Sequence, residues 1–109
     1  MRRLSITAVS VLQAIAGGFE YGFDVIDTTG LPSGTVYPAL SRLERDGYLR
    51  SAWEDEARAH RDGRPARRYY RITASGVRVL QESLAHYRTI TEAPHAAARR
   101  RLSPARGRG

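Results

Sequence analysis

Apolar side chains recur along the first half of the chain at helical spacing. Leu4, Ala8, Val11, Leu12 and Ile15 share one broad face, with Val9 and Ala16 at its edge and Thr7, Ser10 and Gln13 opposite. That pattern predicts a helix over 4–16, closed by Gly17-Gly18, with an apolar arc wide enough for more than one neighbour. A second, short helix is expected over about 20–28, with Phe23 and Ile26 inward, Val25 a further inward candidate, and Asp24 and Asp27 toward water. Gly30 closes it and Leu31-Pro32 make the turn. Ser33 can cap a third helix running to about residue 46, in which Val36, Leu40 and Leu43 fall at i, i+4 and i+7 with Ala39 beside them. Gly34, Pro38, Ser41 and Arg45 lie opposite, flanked by Tyr37 and Arg42. Pro38 removes a backbone donor inside this helix, so a distorted first turn is expected.

The period then changes. Residues 48–54 read as a strand of mixed alternation, 57–66 as a basic, turn-rich stretch containing Gly63-Arg64-Pro65, and 67–72 as a second strand. Thr73 can cap a fourth helix with Val77, Leu80, Leu84 and Tyr87 at alternating three- and four-residue spacing, ended by Pro94. The remainder, rich in alanine, arginine, glycine and proline, reads as a disordered basic tail. The order helix, helix, helix, strand, strand, helix predicts a mainly α chain with a small β-hairpin (α+β). The expected divisions are a first domain over 1–76, an added C-terminal helix over 77–93, and a tail over 94–109.

Charge sharpens the picture. Residues 1–57 hold five arginines and eight acidic residues, whereas residues 58–109 hold thirteen arginines and three acidic residues, for an overall +7. This clustering favours a polyanionic partner, nucleic acid ahead of a membrane surface. All the basic residues are arginine, whose planar fork suits phosphate oxygens and guanine edges. With no cysteine, disulfides and thiolate chemistry are excluded. No apolar run approaches the roughly 20 residues of a membrane span, and the apolar 4–16 segment lacks a convincing cleavage site, so the chain reads as cytoplasmic and nucleoid-associated. His60, His86 and His95 lack partners at ligand spacing, and no nucleophile–base pair, glycine phosphate loop or paired carboxylate emerges. No metal, cofactor or enzymatic activity is expected.

Three helices with a tight turn before the third, followed by a two-stranded hairpin, form a winged helix-turn-helix. A major groove about 12 Å wide accepts one helix whose outer side is polar and short. Helix 33–46 meets that need, and Ser33, Thr35, Tyr37, Pro38, Ser41, Arg42 and Arg45 are its candidate DNA contacts. Its start directs N–H groups toward phosphates. From Arg58 to Arg71 there are six arginines and one aspartate. Arg64, at the expected wing tip, is a candidate to enter the minor groove or lie along phosphates, and Arg61, Arg67 and Arg68 are candidates for phosphates. Trp53 with Tyr69 or Tyr70 reads as sheet packing against the core.

Several segments are similar to a known family. Residues 21–26 (Tyr-Gly-Phe-Asp-Val-Ile), Thr29-Gly30-Leu31 and 33–44, including Gly34-Thr35-Val36-Tyr37-Pro38, resemble the PadR family of transcriptional regulators. The likeness continues through Gly47-Tyr48-Leu49, Trp53-Glu54, the Gly63-Arg64-Pro65 to Tyr69-Tyr70 block and residues 72–76, so that it spans roughly 4–92. The pairing of the Gly-Thr-Val-Tyr-Pro block with the Gly-Arg-Pro to Tyr-Tyr block is specific; either alone is weak. The resemblance implies a homodimer that binds a pseudo-palindromic operator in double-stranded DNA and usually represses. It also implies a dimer interface between the first and fourth helices, here Leu4, Val11, Ile15, Val77, Leu80, Leu84 and Tyr87. In some members a small aromatic effector lowers DNA affinity. This chain departs from relatives that line an effector pocket with tryptophan, because its last helix is cut off at Pro94 and carries none.

Other readings stay open on residues alone. Arg42 could pair with Asp46 or Glu44, Tyr37 could pack at the helix edge, Arg64 and Arg67 could be ordinary hairpin charges, and the Val77–Tyr87 stripe could pack only within its own subunit. The tail arginines Arg99 to Arg101, Arg106 and Arg108 could bind DNA nonspecifically or be a solvated end. A winged-helix module for protein interaction without specific DNA binding, or an RNA-binding one, would share the same pattern.

Overall fold

The computed structural model describes residues 3–90; the tail expected from residue 94 lies outside the described residues. The elements in chain order are α1 (Ile6–Ala16), α2 (Gly22–Thr29), α3 (Ser33–Arg45), β1 (Leu49–Trp53), α4 (Glu56–Arg61) and β2 (Arg68–Ile72). A last helix, α5, covers 74–90.

Each helix of the trihelical core starts and stops for a local reason. Ser5 caps α1, its hydroxyl accepting from the Ala8 N–H, so the helix begins two residues later than expected and Leu4 precedes it. Val9, Val11, Leu12, Ala14 and Ile15 are buried, the wide arc that the apolar pattern predicted. Gly30 ends α2 in the left-handed region at φ 74°, a conformation glycine reaches without a Cβ penalty. Within α2 the inward positions are Gly22 and Val25, with Ile26 half-buried; Phe23, expected inward, is exposed. The chain enters α2 from an antiparallel bridge between Tyr21 and Tyr69, which fixes the helix rotation and turns Phe23 outward.

Helix α3 buries Val36, Leu40 and Leu43 as expected. Its N-cap is Pro32 rather than Ser33: the Pro32 carbonyl accepts from the Thr35 and Val36 N–H groups, and no side chain caps the end. The helix is continuous through Pro38. Proline's missing N–H leaves the Gly34 carbonyl without its helical donor, and Gly34 is exposed, so water can supply it.

Strands β1 and β2 pair antiparallel, with Leu49 opposite Ile72 and Trp53 opposite Arg68. Their alternation seats Leu49 and Tyr70 in the core beside Leu40, Leu43 and Tyr48. Helix α4 lies in the stretch expected to be turns. Asp55 caps it by accepting from the Ala57 N–H, and Ala59 is its buried residue. The Thr73 hydroxyl accepts from the Gly76 N–H, capping α5 as predicted. Gly76 then passes so close to the Tyr48 carbonyl that a Cβ would collide with it.

The surfaces expected to meet a second subunit are largely used within one chain. Leu4, Val11, Ile15 and Leu80 are buried in the single chain's own core, and Leu84 and Tyr87 pack partly against it. Val79 and Ser83 join them, with the Ser83 hydroxyl accepting from the Leu4 N–H and the Tyr87 hydroxyl donating to the Leu4 carbonyl. The inward stripe of α5 therefore runs through Gly76, Val79, Leu80 and Ser83. Val77 alone of the expected interface residues is exposed.

Candidate nucleic-acid interface

Burying Val36, Leu40 and Leu43 leaves a fixed outer face on α3. Ser33, Gly34, Tyr37, Pro38, Ser41, Arg42 and Arg45 are all exposed there, and Thr35 is half-buried. The sequence placed these positions together, and the structure does bring them onto one side. Gly34 has open space around it, and Ser41 is short, so a partner can approach the helix backbone closely. Arg42 and Arg45 stand in the last turn, and neither makes an ion pair with another of the described residues. Tyr37 lies against Gly22, where a Cβ would come 2.5 Å from its Cε1. The ring thus fits only because α2 begins with glycine.

The wing is wired differently from the expectation. Arg64 does not project from a tip. Gly63 turns the chain at φ 72°, the Arg64 N–H donates to the Ala59 carbonyl, and the guanidinium folds back onto Glu54, with Asp62 beside it at 3.4 Å. Arg67 donates to the same carboxylate from its backbone N–H at 2.9 Å and from Nε at 3.3 Å. The Tyr21 hydroxyl donates to Glu54 as well, at 2.9 Å, and the Arg67 guanidinium lies 4.0 Å over the Tyr21 ring. Glu54 is the hub that ties the wing to the start of α2. The Arg64 guanidinium, followed by that of Arg67, holds the Glu54 carboxyl well below the usual carboxylate range. The same contact raises both arginines further, and accepting its proton raises the Tyr21 phenol.

Arg68 bridges the hairpin to α3. It donates to Ser51 Oγ at 2.9 Å from Nε and to Glu44 Oε1 at 3.1 Å, while the Ser51 hydroxyl donates to Glu44. Arg71 pairs with Glu20 at 3.2 Å. Four of the six arginines from Arg58 to Arg71 are therefore neutralised within the chain; Arg58 and Arg61, on α4, have no ion pair among the described residues. Sequence reasoning assigned no role to Glu54 or Tyr21, and offered Glu44 only as a partner for Arg42, not for Arg68 and Ser51. Their partners lie far along the chain, so no local pattern announces them. Trp53, expected to pack on the core, is exposed at the end of β1.

A trihelical core, an exposed polar helix and an adjoining basic hairpin define a winged helix-turn-helix protein. Residues 11–82 match the family described as the transcriptional regulator PadR-like family. The chain belongs to that family, a family of transcriptional regulators that bind DNA and are not enzymes. No curated protein matches the chain at a significant level. Among solved structures it is similar to a PadR family regulator from Clostridium difficile, at 20% identity and a TM-score of 0.74 over 86% of this chain and 99% of that one. A PadR-like regulator from Bacillus cereus has 20% identity and a TM-score of 0.69, covering 85% of this chain and 91% of that one. BpsR of Bordetella bronchiseptica, whose DNA binding is regulated by 6-hydroxynicotinic acid, has 23% identity and a TM-score of 0.65 over 84% of this chain and 64% of that one. Among the described residues, no helix is long and apolar enough to cross a membrane, and no cluster of His, Asp and Glu is placed to hold a metal.

Proposed function

We propose that this chain is a dimeric, cytoplasmic repressor that binds a pseudo-palindromic operator, with α3 in the major groove and the wing on the flanking backbone or minor groove. One observation carries the reading: the outer face of α3, half-buried Thr35 apart, is exposed and carries two arginines unpaired among the described residues, while its apolar stripe is used inside. Tyr37, Ser41, Arg42 and Arg45 contact base edges or phosphates, with Ser33, Thr35 and Pro38 at the close-approach end. Arg61 contacts phosphates, as does Arg68 through Nη1, which its bonds to Ser51 and Glu44 leave unused. Arg64 and Arg67 serve DNA binding through Glu54, by holding the wing at a set angle to α3. Dimerisation uses what the single chain leaves exposed, Val77 on α5 together with Ile6 and Ile90, with half-buried Leu84 two turns from Val77. A small aromatic effector that lowers DNA affinity is proposed by analogy with BpsR.

The test is a titration of the full chain against duplex DNA from upstream of its own gene and against the same bases scrambled. Specific regulators bind their sites about 10³-fold or more tighter than random DNA. A preference of that order supports the reading. Equal affinity overturns specific regulation and leaves a winged helix used for protein interaction.

A further inference from the structure

Three large aromatic side chains are exposed around one cleft: Phe23 at 54%, Tyr37 at 44% and Trp53 at 65%. The cleft, about 240 Å³, lies between the start of α2, the outer side of α3 and the end of the hairpin, and Arg67 and Arg68 also line it. Leu49, Ser51 and Trp53 alternate onto one face of β1. Leu49 is spent in the core and Ser51 on Glu44, which leaves Trp53 exposed and lining the cleft together with Tyr37 of α3. The Arg68 guanidinium sits 6.0 Å from the Trp53 ring and 5.9 Å from that of Tyr70. Burying three aromatics would be favourable, so exposing them together marks a contact surface.

We propose that this cleft is a cradle for one sugar–phosphate strand of the duplex, with Trp53 and Phe23 packing on deoxyribose faces and Arg68 on the adjoining phosphate. The proposal rests on the DNA-binding reading above. With α3 in a major groove and the wing beyond it, a backbone strand must pass between them, and the cleft is the space between them. A strand offers apolar sugars and anionic phosphates in alternation; the cleft offers rings and guanidinium groups side by side. A small aromatic acid fits less well, because pockets that bury such ligands run to roughly 300–1,000 Å³ and enclose them.

The chemistry gives the cradle a signature. Sugars carry no sequence information and no charge. Trp53→Ala therefore lowers affinity for operator and random duplex alike, by about tenfold, the scale of removing one well-packed aromatic contact. It leaves unchanged the slope of log affinity against log salt, which a lost phosphate contact would reduce by about 0.9. Trp53→Phe restores most of the affinity. Trp53 is the chain's one tryptophan, so its emission reports this cleft directly and changes on adding duplex. Both side chains are exposed, so the fold is expected to survive, and Phe23→Ala carries the same test should Trp53→Ala melt early. Loss confined to the operator overturns the proposal in favour of base readout. A slope reduced by about one shows Trp53 acting only through Arg68. Tighter binding of single-stranded than double-stranded DNA, or an emission change with 2-naphthoate but not with duplex, overturns it as well. The random-duplex arm needs no operator, so equal wild-type affinity for both duplexes removes the regulator reading without deciding the cradle.

Discussion

Gly22→Ala places a methyl group where Tyr37 now lies, 2.5 Å from Cε1 and 3.0 Å from Cζ and Oη. The three nearest atoms all belong to Tyr37, the far end of an exposed side chain. The ring can swing away at a rotamer cost of about 0.5–1.5 kcal/mol. Replacing glycine with alanine returns about 0.4–1 kcal/mol by restricting the unfolded chain. The two nearly cancel, so stability should change by less than about 1 kcal/mol, or about 4–8 °C in melting temperature. DNA binding should respond much more. Moving a contact worth 1–2 kcal/mol out of register weakens binding about 5- to 30-fold. Thermal melting by circular dichroism and anisotropy titration of a labelled operator separate the two effects. In a Tyr37→Ala background, Gly22→Ala should cause no further loss, since both act through the same ring. Unchanged operator affinity would show that the position of Tyr37 is not used. A fall of more than about 15 °C would show that the ring cannot move aside.

Gly76→Ala should destabilise by about 1–3 kcal/mol in urea unfolding, the range for overpacking, because the Tyr48 carbonyl it strikes is held by the Thr73 N–H at 3.1 Å; the gain usual for glycine to alanine in a helix would contradict the packing. Ser83→Ala leaves the buried Leu4 N–H without its acceptor and should lower stability by about 1–3 kcal/mol, whereas a change under about 0.5 kcal/mol would show that contact to be idle. Glu54 has a folded-state pKa depressed below its unfolded value of about 4.3, so its contribution is fully present above that pH and is lost as pH falls through the acid range. Glu54→Gln should therefore be less stable than wild type at pH 7 and show a flatter decline of melting temperature from about pH 4.5 to 2, and parallel declines would refute the hub.

Much of the architecture was legible because the signals were periodic. The Val36, Leu40 and Leu43 stripe determined which side of α3 is buried, and so which side is left for a partner. The first helix, both strands and the Thr73 cap were legible for similar local reasons. What escaped was set by tertiary contacts. Phe23, Val25 and Ile26 are all apolar, and the bridge from Tyr21 to Tyr69, not the pattern, decides which of them face inward. Helix α4 is six residues long, too short for a period, although Asp55, Glu56 and the basic last turn are cap signals. The wing arginines looked available because Glu54, Glu44 and Glu20 find them across the fold. The α5 stripe suits either a partner subunit or the chain's own core; Leu80 is buried within the core cluster, while Val77 stays exposed. A periodic stripe shows that a face is buried, but not by what.

The exposed basic end of α3 offers the most direct measurement of whether that helix meets DNA. Arg42 and Arg45 have no ion pair among the described residues, so Arg42→Gln/Arg45→Gln removes two charges without stranding a carboxylate. Operator affinity measured across a salt series should fall, with the slope of log affinity against log salt reduced by about 1.8, two phosphate contacts at about 0.9 each. A slope identical to that of the wild type would place DNA elsewhere on the molecule.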